Sequence, residues 1–130
     1  MSCAIHQENS FKGTASEIYK IFTDSKKFSE LTGGAPTEIT PEAGGSFSLF
    51  GGMIFGRNIE LVENRLIVQA WRAGNWNEGF YSVVRFEFKD HESGTMLVLD
   101  HTGFPEGQGD HLSVGWVENY WKPLENYLNK

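Results

Sequence analysis

One cysteine, Cys3, in a chain of 130 residues leaves no partner for an internal disulfide and too few thiols for a cysteine-cluster metal site. No Asn-X-Ser/Thr triplet occurs. The hydrophobic runs are short and broken, so none is long enough to span a bilayer. The opening MSCAIHQENS has neither a basic start nor an apolar stretch, and no signal peptide is expected. Basic clusters are missing as well. Eleven Lys and Arg stand against 17 Asp and Glu, a net charge of −6, with no cluster beyond Lys26-Lys27. That balance excludes the polycationic footprint that nucleic acid or an anionic membrane requires. The absences together describe a single cytoplasmic domain over residues 1–130, with no nucleic-acid partner and no membrane insertion.

Glycine and aromatic side chains are what the chain has in quantity: 15 glycines and 14% Phe, Trp and Tyr. Glycine-punctuated aromatic segments point to a strongly curved antiparallel sheet. Ile5 to Phe11 alternates weakly and reads as an edge strand. Thr14-Ala15-Ser16-Glu17 has the form of a capping box, and Ile18, Ile21 and Phe22 follow at helical spacing, so a short helix is expected over 15–23. A second turn or two, from Ser25 to Leu31, ends at Gly33-Gly34. From Thr37 to Thr102 the period becomes two, with strands near 37–41, 46–50, 53–62, 66–73, 80–89 and 95–102. Gly51-Gly52 is placed as a two-residue hairpin.

Beyond a flexible loop from Gly103, Asp110 is a good helix N-cap. Val114, Val117, Trp121, Leu124 and Leu128 recur at spacings of three and four as one apolar face. Pro123 inside that pattern predicts a bend near 119–123. Strand, two short helices, six strands and a long C-terminal helix make an α+β helix-grip arrangement: a curved antiparallel sheet of six or seven strands wrapped around the last helix. Such folds commonly leave a hydrophobic cavity between sheet and helix.

Five stretches carry a family resemblance: residues Glu17 to Thr23, Gly44 to Gly52, Ile67 to Arg72, Trp76-Asn77-Glu78-Gly79, and Gly115-Trp116 with Tyr120-Trp121. In this order, from about Ile5 to Leu128, they resemble the C-terminal domain of the activator of the heat-shock protein 90 ATPase and its single-domain bacterial relatives. The family pattern usually has Pro where this chain has Asn77. The resemblance implies a START-like, birch-pollen-allergen-like fold of the SRPBCC superfamily, and a chaperone as a protein partner. In the eukaryotic co-chaperone a separate N-terminal domain does most of the docking, and no such domain is expected within these 130 residues.

The search for chemistry finds little. His6, His91, His101 and His111 have no metal-ligand spacing, the carboxylates are scattered, and no nucleophile elbow, phosphate loop or dinucleotide fingerprint is present, so no metal and no cofactor are expected. Only His101 shares a strand face with apolar residues, Leu97 and Leu99. It is either a weak candidate for a proton donor or a ring hydrogen-bonded to a loop carbonyl. Inward rows supply the expected cavity lining: Phe47, Leu49, Gln69, Trp71, Phe86, Leu99 and His101 from the sheet, Val117 and Trp121 from the helix. For most of these the alternative is plain core. Gln69 needs a buried partner, for which Glu60, His101, a water or a ligand are the candidates. Trp76 and Phe104 are expected as loop or lid residues. Three functions remain open on these grounds: a non-enzymatic domain binding a small hydrophobic molecule, a chaperone-linked adaptor with a role in stress, and a cyclase- or dehydratase-like enzyme using His101.

Overall fold

In a computed structural model, which describes residues 3–129, the chain begins with β1 (Ala4–Lys12), α1 (Ala15–Thr23) and α2 (Ser25–Leu31). Six strands follow: β2 (Glu38–Ile39), β3 (Ser46–Leu49), β4 (Ile54–Val62), β5 (Leu66–Ala73), β6 (Ser82–His91) and β7 (Gly94–Thr102). The chain closes with α3 (Gly109–Trp116), a π-helical turn (Val117–Trp121) and α4 (Lys122–Leu128), which run on as one helix of 20 residues. All strand pairs are antiparallel, in the order β1-β7-β6-β5-β4-β3-β2. This is the helix-grip fold, with the opening strand at a sheet edge as its weak alternation suggested.

Local sequence explains the first helix. Thr14 Oγ1 accepts from the Glu17 backbone N–H at 3.1 Å, and the Glu17 carboxylate accepts from the Thr14 N–H at 3.3 Å. The pair satisfies two helix-start donors that would otherwise be orphaned. Thr14→Ala should therefore lower stability by about 1 kcal/mol. A urea titration with unchanged slope and an unmoved midpoint would contradict this.

Period-two rows put Ile67, Gln69 and Trp71 of β5, Val84, Phe86 and Phe88 of β6, and Leu97, Leu99 and His101 of β7 on the buried concave face. A bulge in β4 breaks the register between Asn58 and Glu60, so Glu60 pairs with Val68 while Asn58 stays opposite Gln69. The extra residue, Ile59, turns Glu60 outward, and Glu60 is exposed. Gln69 consequently donates to Asn58 Oδ1 at 3.2 Å, and Asn58 in turn donates to the Thr40 carbonyl at 3.1 Å. Neither Glu60 nor His101 is the partner of Gln69.

Two local expectations need correction. Leu49 pairs with Ile54, so the β3–β4 connection is the four residues Phe50 to Met53 and not a two-residue turn. Gly51 and Gly52 have φ of 69° and 94°, and Phe50 itself is left-handed at 54°. Left-handed φ is uncommon for a bulky residue. The Phe50 ring packs edge-on against Phe28 and Tyr120, both at 5.7 Å, and those contacts hold it.

The second correction is the phase of the C-terminal helix. Val114 is 62% exposed and Val117 37%, whereas Leu112, Trp116, Tyr120 and Leu124 are buried. In a straight α-helix residues four apart drift about 40° per step around the axis. The π-helical turn widens the middle of the helix and holds this four-residue series on the sheet side. Lys122 N–H reaches back five residues to the Val117 carbonyl. Pro123, with no N–H to give, adjoins that wider turn, which occupies the region where a bend was expected.

Candidate functional site

Three segments distant in sequence enclose a cleft of about 580 Å³: Phe50 to Ile54, Trp71 with Ala73 to Trp76, and one face of the helix from Gln108 to Tyr120. That size suits a small molecule. Its inner wall is aromatic. Trp116 lies 5.5 Å from Trp71 and 4.3 Å from Tyr120, and Trp76 packs edge-on against Trp71 at 5.7 Å. The helix presents His111, Gly115 and Asn119, one residue in every four, along the outer part of the cleft. Among the described residues no Asp, Glu, Lys or Arg lines it.

Behind this wall two polar atoms, the Trp71 indole N–H and the Tyr120 hydroxyl, are buried from solvent and make no hydrogen bond of full geometry. Burial pushes the Tyr120 hydroxyl's pKa upward, and the nearby Trp71 indole N–H opposes the rise. The two groups are polar neighbours, in a contact looser than a full hydrogen bond.

Trp76 does not swing free. Arg72, itself buried, donates to the Trp76 carbonyl at 2.7 Å and the Asn77 carbonyl at 2.9 Å. Its guanidinium lies over the Phe55 ring at 5.2 Å and the Tyr81 ring at 5.7 Å. A planar fork satisfies both carbonyls at once, so Trp76 is a fixed wall of the cleft.

Deeper in the core, Trp116 Nε1 donates to His101 Nδ1 at 3.0 Å. Nδ1 is therefore the unprotonated nitrogen, and Nε2–H donates to Ser82 Oγ at 2.8 Å. The Ser82 hydroxyl donates onward to the Trp71 carbonyl at 2.9 Å. His101 has no exposed surface, and burial lowers its pKa to about 3. Both ring nitrogens are engaged within the protein, so the ring is a neutral structural junction with no free position for proton transfer to a substrate. Its partners are an indole and a hydroxyl, not the loop carbonyl considered from sequence.

Of the residues expected to line a cavity, the cleft includes Trp71, and Trp76 from the expected lid. Phe47, Leu49, Gln69 and Phe86 meet around a void of about 10 Å³, too small for a ligand. Leu99 and His101 are fully buried in the core. Val117 faces outward because of the helix phase. Trp121 is 4% exposed and turns toward β1, where its indole donates to Gln7 Oε1 at 2.6 Å and its ring lies 6.0 Å from Phe11. Trp116, not Trp121, is the helix partner of Trp71. Phe104 is buried against His101 at 5.1 Å and is no lid. The contributions of Phe50, His111, Gly115, Asn119 and Tyr120 were missed. The four-residue series of His111, Gly115 and Asn119, with a glycine inside a helix, was the available signal.

Among the described residues no group of three His, Cys, Asp or Glu side chains comes together to hold a metal. Nor is any helix among the described residues long and apolar enough to cross a membrane.

A family model described as "Activator of Hsp90 ATPase homolog 1-like protein" matches residues 12–129. The mouse "Activator of 90 kDa heat shock protein ATPase homolog 2" is 33% identical over 128 residues, 96% of this chain and 38% of that protein. The Saccharomyces cerevisiae "Hsp90 co-chaperone AHA1" is 28% identical over 134 residues, 95% of this chain and 37% of its own length. The chain thus spans somewhat over a third of these curated relatives. A crystal structure of an HSP90 activator from Plasmodium falciparum superposes with a TM-score of 0.92 at 29% identity, covering 98% of this chain and 96% of that one. The solution structure of the Aha1 dimer from Colwellia psychrerythraea shares the fold, with a TM-score of 0.80 at 15% identity and coverage of 96% and 95%.

Proposed function

The chain belongs to the family of Activator of Hsp90 ATPase homolog 1-like proteins, and from that premise we propose that it binds a heat-shock protein 90 in the cytosol and raises its ATP turnover. The observation carrying this reading is the likeness to the Plasmodium falciparum HSP90 activator, which runs through nearly the full length of both chains. The mouse and yeast relatives are longer chains, so their activity is carried over only as a proposal for the region they share. In a steady-state ATPase assay with a purified heat-shock protein 90, saturating amounts of this chain should raise turnover at least about twofold, with a complex seen by titration calorimetry in the micromolar range, about −8 kcal/mol. An unchanged rate and no heat of binding at tens of micromolar would remove the reading.

The cleft favours a second reading: it admits a small molecule. Its volume of about 580 Å³ and its aromatic inner wall support this. Binding to the folded state alone would raise the melting temperature in proportion to the logarithm of ligand concentration.

A further inference from the structure

We infer that the cleft selects an uncharged, ring-bearing small molecule and that Gly115 is the position that keeps it open. The inference rests on the second reading above, that the cleft admits a small molecule. Two independent features support it.

The first is charge. The chain carries a net −6, yet among the described residues no Asp, Glu, Lys or Arg lines the cleft. A charged ligand would exchange water for a wall that offers no counter-charge, which disfavours either sign. An anion would also meet the repulsion of the whole molecule. Aromatic rings can hold a cation on an open face. Here Trp71, Trp76, Trp116 and Tyr120 are already packed against one another, so the contacts left to a ligand are mainly ring edges, which suit another ring's face and not a cation.

The second is Gly115. A helix interior disfavours glycine relative to alanine. Gly115 has no positive φ to excuse it, and a Cβ there would meet only Asn119 Nδ2, at 3.8 Å. Neither backbone conformation nor close packing requires a glycine at this place. What its missing side chain provides is space in the cleft wall, opposite the Gly51-Gly52 turn and Gly74, which also line it.

The test uses two probes of the same ring framework on the intact chain: neutral N-phenyl-1-naphthylamine and its sulfonated relative 8-anilinonaphthalene-1-sulfonate. The neutral probe should bind at one site, at least about tenfold tighter than the sulfonate, a difference of roughly 1.4 kcal/mol. Phenyltrimethylammonium at millimolar concentration should not displace it. Gly115→Leu should weaken the neutral probe at least about tenfold with the melting temperature maintained, because leucine suits a helix better than glycine. Asn119→Trp, which narrows the mouth from an exposed position, should do the same and serves if the first variant folds poorly. Binding of neither probe would overturn the second reading itself. Equal or tighter binding of the sulfonate, or displacement by the ammonium, would overturn the neutral class while leaving that reading in place. Full affinity in both variants would put the binding site elsewhere and overturn the role of Gly115.

Discussion

Trp116→Ala is expected to lower stability by about 3–5 kcal/mol, enough to unfold a domain of ordinary stability at moderate temperature. Trp116 is 2% exposed, and its ring packs against Trp71, Phe86 and Tyr120 at 5.5, 5.6 and 4.3 Å. Removing it also leaves His101 Nδ1 buried without its donor. Trp116→Phe separates the two losses: most of the ring stays, and the orphaned nitrogen alone should cost about 1–3 kcal/mol. Trp121→Ala belongs in the same 3–5 kcal/mol range, since that indole is core and hydrogen-bonded to Gln7. Val117→Ala, one residue from Trp116 but on the outward side, should stay within about 0.5 kcal/mol. Chemical denaturation of the four variants decides it. A Val117 loss equal to that of Trp116 would mean that the helix phase described above is wrong.

Acidification should destabilise the protein through His101. The unfolded chain protonates this histidine near 6.5, the folded chain only near 3. Below 6.5 the unfolded state therefore binds the extra proton, and stability falls as pH drops from 6.5 toward 3. The loss from this one residue should reach about 2 kcal/mol by pH 5. His6 works in the opposite direction. It is exposed, and the hydrogen bonds its ring donates to Asp100 and then Glu8 raise its pKa, so its stabilising contribution is full below 6.5 and lost above its raised value. Urea titrations at pH 7 and pH 5 should show the fall in the wild type and a distinctly smaller one in His101→Gln. An equal fall in both would assign the acid sensitivity to other groups.

Whatever depends on neighbours in the chain could be read from the residues. The Thr14–Glu17 capping box, the period-two rows of β5 to β7 and the glycine-punctuated turns are short-range patterns, and they sufficed for the order of elements and the helix-grip architecture. The same rows pointed Trp71 inward, and it does line the cleft. Gln69 was rightly read as needing a partner, but the bulge at Ile59 chose Asn58 by turning Glu60 outward. A bulge changes which residues face one another without leaving a mark in the alternation on either side of it.

The C-terminal helix divides what sequence determined from what tertiary structure decided. Its existence and the disturbance before Pro123 follow from composition and backbone chemistry. Its phase does not, because Val114-Val117-Trp121-Leu124 and Leu112-Trp116-Tyr120-Leu124 are both apolar series. The second is buried because the His101 ring accepts from the Trp116 indole while the aromatic wall of the sheet receives Trp116 and Tyr120. A one-residue rotation of the helix changes about 100° of its surface, and with it the residues that border the cleft. The cleft itself is made by segments around residues 50, 75 and 115, which touch only once the sheet has curved around the helix.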